Sequence, residues 1–253
     1  MPAITLQASV GTVGGPEITS SSWTASAGDC VFVCWAMATG GTLPTVTLTT
    51  PGYTWNYIPP IQSTDTDIMM SGAYALNVPA GTTHFTTNGV GYDGITYFIF
   101  TISGGIVARD QLGTAYFPPA DNTPPALITT AGPLVQSGEA AIAWWQCQFA
   151  PTTITAMPGW TSTPLQTNPS VGVINGLAVW NANAGTAGQK LTGGWSSIAN
   201  AGGNGMTAQA IMATFSTIPP NLQPGFPRSS RIEEPSEGMQ ESNVTPPDMG
   251  VPN

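Results

Sequence analysis

The stretch "SAGDCVFVCWA" at residues 26–36 returns about a hundred residues later as "QSGEAAIAWWQ" at 136–146. Each reads small residue, Gly, acid, and then an apolar run that reaches a Trp. A run of this length, entered from a Gly, suits a buried strand. Working outward, "PGYTWNYIP" (51–59) stands over "PGWTSTP" (158–164), and "GAYALNVPAGT" (72–82) lies over "GLAVWNANAGT" (176–186) without a gap. The last block pairs "IFTIS" (99–103) with "MATFS" (212–216). Four blocks in one order make the chain a tandem repeat of two units. The period is too long for a solenoid or a propeller blade.

Composition says what the units are made of. With 30 Gly and 24 Pro among 253 residues, helices would be broken almost everywhere. The blocks are short, rich in β-branched and aromatic residues, and bounded by Gly, Pro, Asn or Ser. "VTLTTPGYTW" (46–55) and "GITYFIFTI" (94–102) alternate in part, as half-buried strands do. The expectation is an all-β chain: two tandem antiparallel β-sandwich units, Ig-like or jelly-roll-like, each large enough to bury its own core. Unit one takes residues 1–105, with "ITLQASVG" in the lead-in as a first strand. A semi-rigid linker takes 106–126, and unit two takes 127–218. Residues 219–253 are Pro-rich and poor in apolar side chains, so they read as an extended arm rather than a domain.

The repeated Pro-Gly-aromatic-Thr has a local explanation. Pro restricts φ, and Gly accepts the positive φ of a type II turn. The aromatic that follows, Tyr53 or Trp160, then returns to cover the end of a sandwich. Packing at the edge of a core is the expected role; the alternative is an exposed stacking platform for a sugar or a partner protein.

Charge limits the partners. Residues 1–220 hold two Lys/Arg against eight Asp/Glu, and the arm holds two against five, for a net charge of −9. No basic stripe is present to displace counterions from nucleic acid, and anionic membranes are disfavoured for the same reason. No run of eighteen apolar residues marks a membrane span, and "MPAITLQASV" lacks the features of a secretory signal. Cys30 and Cys34, four apart on a strand, stand about 13 Å from each other, too far to bridge. With Cys147 they read as buried thiols of a protein assembled in a reducing cytoplasm.

Catalytic constellations are weak. His84 is the single histidine, and no positioned partner is signalled for it. Asp65 and Asp67 in "STDTDI" supply two carboxylates where a hard cation such as Ca²⁺ wants six or more oxygens. Asp29 and Glu139 share one repeat position ahead of a buried strand, where a turn carboxylate accepting backbone N–H groups is the economical role. Arg109 and Asp110 read as a local surface pair. No catalytic, cofactor-binding or metal site is expected, and the protein is not expected to be an enzyme.

The series "GDCVFVCWA", "PGYTW", "AYALNVPAGT" and a closing aromatic-rich strand resembles a unit of tailed-bacteriophage structural proteins. Its Pro-Gly-Trp-Thr corner is met by residues 158–161, while 51–54 carry Tyr in place of Trp. The resemblance covers roughly residues 20–104 and 127–218 and omits the arm. It implies a virion component assembled in the host cytoplasm. Its partners would be other virion proteins, either the major capsid protein or tail proteins, and copies of itself. A capsid decoration protein on the head surface is the leading expectation. A minor tail or tail-tip protein that binds a host glycan is the second, and a carbohydrate-active module the third.

Overall fold

The structure, a computed structural model, describes residues 1–13, 17–38, 45–62, 68–88, 94–117, 126–147, 151–167, 175–200 and 208–219. These residues are all-β: every sheet is antiparallel, and no helix occurs among them. They belong to one compact unit, Met1–Gln223; Pro224–Asn253 fall outside it and outside the described residues.

The first half builds a five-stranded sheet in the order β1 (Ala3–Val13), β9 (Gly94–Ser103), β3 (Cys30–Ala38), β6 (Ile68–Ala75) and β5 (Asn56–Gln62). Two small pairs accompany it, β2 (Trp23–Ala25) with β7 (Gly81–Thr83) and β4 (Leu48–Thr49) with β8 (Thr86–Thr87). In the second half the large sheet runs β10 (Ala108–Phe117), β18 (Ala208–Ser216), β12 (Glu139–Cys147), β16 (Asn175–Ala184) and β14 (Thr161–Ser162). β15 (Gln166–Thr167) also pairs with β16. A separate three-stranded sheet has the order β11 (Ala126–Thr129), β17 (Thr192–Asn200) and β13 (Pro151–Ala156). Both large sheets therefore follow one plan: first strand, last strand, the apolar block, the Ala-Gly-Thr block, the corner strand.

Registers carry the repeat further. Cys30 opposes Ile102 as Ala140 opposes Phe215, and Ala36 opposes Thr96 as Gln146 opposes Gln209. One pairing differs: Cys34 faces Gly72, but Trp144 faces Ala178, two residues beyond the position that the aligned blocks indicate. An even shift leaves every side chain on its original face, which is why the repeat tolerates it.

The two large sheets bury one face against each other. Phe32, Phe98, Phe100 and Met70 from the first meet Ile142, Trp144, Ile211 and Phe215 from the second in a single cluster. The opposite face of the first sheet carries Val31, Val33, Trp35 and Ile99, packed with Trp23, Leu48 and Phe85. The opposite face of the second carries Ala141, Trp145 and Met212, packed with Ile128, Leu134 and Trp195. Each large sheet thus has both faces covered. This explains why "CVFVCWAMA" is continuously apolar, since a strand buried on both faces has no polar side to show. It also changes the reading of "GITYFIFTI", where alternation suggested half-burial. Residues 94–102 are buried throughout, Thr96 and Thr101 included.

Residues 106–126 were expected as linker, yet Ala108–Phe117 form β10 and pair with β18 along their length. The segment is the second repeat's counterpart of β1, so the lead-in belongs to the repeat. Its polar stretch Arg109-Asp110-Gln111 disguised it, because Asp110 and Gln111 accept from a neighbouring loop and Arg109 lies over the Tyr74 ring.

Candidate functional site

Both Pro-Gly corners close as type II turns. Tyr53 N donates to Thr50 O at 3.2 Å and Trp160 N to Met157 O at 3.0 Å. Gly52 and Gly159 hold φ of 79° and 83°, the value that position requires. Tyr53 is half-buried between Trp23, edge-on at 6.1 Å, and Trp55 at 5.5 Å. Trp160 lies against Gly193, where a Cβ would run into its ring. The corners pack at core edges. Tyr57, two residues beyond Trp55, is 41% exposed, and its hydroxyl accepts from Leu48 N at 2.8 Å.

Tyr57 stands at a cavity of about 320 Å³ with Trp35, Val46, Ile58, Pro60 and Met69 among its walls. The size and apolar lining fall in the range of small-ligand sites. Its polar groups are few: the Ser71 hydroxyl donates to Ile58 O at 2.7 Å, and the Trp35 indole N–H is buried without a partner.

The paired acids behave as the repeat suggested. Asp29 Oδ2 accepts from Ser26 N at 2.9 Å, and Glu139 Oε1 accepts from Gln136 N at 3.2 Å. A second carboxylate, Asp110, joins Glu139: its Oδ2 accepts from Val135 N at 2.9 Å, so adjacent N–H groups of one loop hold the two acids. Burial, then the charge of Asp110, pushes Glu139 up to about 7. Glu139 is 0% exposed. Arg109 does not partner Asp110 as a surface pair; its guanidinium carbon lies 6.0 Å over the Tyr74 ring.

A different polar cavity, about 260 Å³, opens beside Asp29, walled by Thr5, Gln7, Thr24, Thr101 and Ser103 among others. Gln7 Nε2 donates to Thr101 Oγ1 at 3.0 Å across its floor.

Sequence reasoning gave no sign of one further polar site. Gln146 and Gln209, directly opposed on β12 and β18, are 0% and 2% exposed, and neither amide has a partner. Thr96 sits close by, against Gly176, the strand neighbour of Gln146. The signal was present as two Gln residues interrupting apolar strands.

The other sequence candidates stay apart. His84 is exposed between β7 and β8, and Asp65 and Asp67 lie outside the described residues. Among the described residues no three His, Cys, Asp or Glu gather to hold a metal. Cys30 and Cys34 are free, buried on the inter-sheet face of β3. Comparison with protein-family models, with curated proteins and with solved structures returns no match.

Proposed function

We propose that this chain is a non-enzymatic structural protein of a tailed-phage virion, placed on the head surface as a decoration protein. In this reading the repeats are two sandwich units fused face to face into an outward body. Residues 219–253, which lie outside the described residues from 220 onward, form the arm that attaches the body to neighbouring virion subunits. The observation that supports the reading most is the use made of the recurring acids. Asp29 and Glu139 are buried and tied to turn N–H groups, so the repeated motif works as a packing unit. The Pro-rich arm adds to this, since proline has already restricted φ and little backbone entropy is lost on docking.

Copy number per particle, from quantitative mass spectrometry, tests it. Hundreds of copies fit head decoration, a handful would move the protein to the tail tip, and none would remove it from the virion. Deleting 221–253 should leave the melting profile of the isolated protein unchanged and abolish incorporation. The exposed Tyr57 beside an apolar cavity favours the tail-tip reading with a host glycan as second choice; a glycan array on intact protein distinguishes the two.

A further inference from the structure

Two features of the first repeat open the apolar cavity beside Tyr57. Trp35 and Trp145 hold the same place in the aligned blocks, and each belongs to the outer face of its sheet. The strand neighbour of Trp145 is Leu177, whereas that of Trp35 is Ser71. Both neighbours are buried, but leucine fills its place with an isobutyl group and serine with a hydroxymethyl. The second feature lies on β5, which loses register with β6 between Ile58 and Ile61, where Pro59 and Pro60 stand. Proline in an edge strand favours such a bulge. The cavity of about 320 Å³ therefore has a buried wall that includes Trp35, Met69 and Ser71 and an exposed rim that includes Tyr57 and Pro60.

The hydrogen bonding of the walls limits what can occupy it. Asn88 uses the rim backbone: its Nδ2 donates to Thr45 O at 3.0 Å, its Oδ1 accepts from Thr47 N at 2.8 Å, and its N donates to Thr47 O at 3.0 Å. Ser71 Oγ gives its proton to Ile58 O. What the walls still offer is donors: the Trp35 indole N–H, and the Tyr57 hydroxyl, which accepts from Leu48 N and keeps its own proton. Buried indoles elsewhere in the chain lack partners as well, so the indication comes from the walls as a set. Charge narrows the guest further. Residues 1–105 contain five Asp/Glu and no Lys or Arg, so an anion would be buried here without a counter-charge.

We infer that this cavity is a binding site for an uncharged, flat apolar molecule carrying one acceptor oxygen. Its ring would supply the bulk that Leu177 supplies in the second repeat and would lie against Trp35 and Met69. A polyhydroxylated sugar does not suit the interior, because most of its hydroxyls would face carbon. The inference rests on the comparison of the repeats and on neither reading of function above.

The probe for the test is acetylnaphthalene, a neutral ring system with a single carbonyl, titrated into the full chain and followed by NMR. Saturable shifts are expected at the Trp35 indole and the Met69 methyl, with intermolecular Overhauser contacts to Met69 and Tyr57. Naphthoate, the same ring with a carboxylate, should bind about tenfold more weakly or worse, and N-acetylglucosamine should not displace the probe. Ser71→Leu restores the missing bulk and should weaken binding by about tenfold or more. Should that variant not fold, the contacts to the unmodified chain decide. Absent or unsaturable shifts, Overhauser contacts to another surface, equal affinity for naphthoate, displacement by the sugar, or unchanged affinity in folded Ser71→Leu would each overturn the proposal.

Discussion

Phe32 of the first repeat and Trp144 of the second meet edge to face, ring centroids 5.3 Å apart, in the middle of the layer that both large sheets share. Phe215 approaches Phe32 at the same distance, and Phe100 meets Trp180 at 5.6 Å. Neither repeat can withdraw without exposing this aromatic layer. Trp144→Ala should therefore cost about 3–5 kcal/mol and leave unfolding as one transition. Chemical denaturation followed by both fluorescence and circular dichroism checks this. Residues 1–105 expressed alone should fail to give a folded monomer. Two separable transitions, or a stable isolated half, would show that the repeats fold independently.

The corners offer an internal comparison. Alanine at Gly52 or Gly159 must adopt positive φ, at roughly 1–2 kcal/mol. At Gly52 its Cβ would also meet Pro79 Cγ at 3.2 Å, whereas at Gly159 the nearest atom is Asn181 Nδ2 at 3.7 Å. Gly52→Ala should thus lower the melting temperature more than Gly159→Ala. The reverse order would mean that the second corner bears more of the fold than its geometry indicates.

Glu139 sets a pH dependence. Burial first, and then Asp110, raises its pKa to about 7 from an ordinary value of 4.5. A carboxyl whose folded pKa exceeds its unfolded one holds its proton more tightly when folded. Its contribution to stability is full in acid and lost as pH climbs from 4.5 through about 7. Glu139→Gln keeps an oxygen for the Gln136 N–H and carries no charge. Relative to this variant, the wild type should lose on the order of 2 kcal/mol between about pH 5 and pH 8. Parallel stability curves for the two proteins would count against the buried carboxyl pair.

Cys30 and Cys34 should be inert in the folded protein. Burial raises both thiols well above their ordinary range, and the carboxylate of Asp29 adds to the effect at Cys30. In a Cys147→Ser background, a thiol reagent should label them only as fast as the protein unfolds. Rapid labelling under native conditions would place them nearer solvent than the inter-sheet core.

What the sequence determined by itself was local. The corners follow from Pro and Gly, the turn carboxylates from the placing of Asp29 and Glu139 three residues after an N–H donor, and the strands from β-branched and aromatic runs between breakers. Each of these depends on neighbours along the chain, so each was visible in a string of letters. The tertiary structure alone decided what covers what. "CVFVCWAMA" announces that a strand is buried, but apolar surface is not selective, and the run cannot name the sheet that will cover its second face. The same limit hid β10: Arg109, Asp110 and Gln111 look like solvated linker until the loop 131–136 uses Asp110 and Gln111 and the Tyr74 ring meets Arg109. It also hid the difference between the repeats. Only packing shows that the residues before Glu139 run beside β10, where Ala131, Gly132 and Val135 donate to Leu112, Gln111 and Asp110.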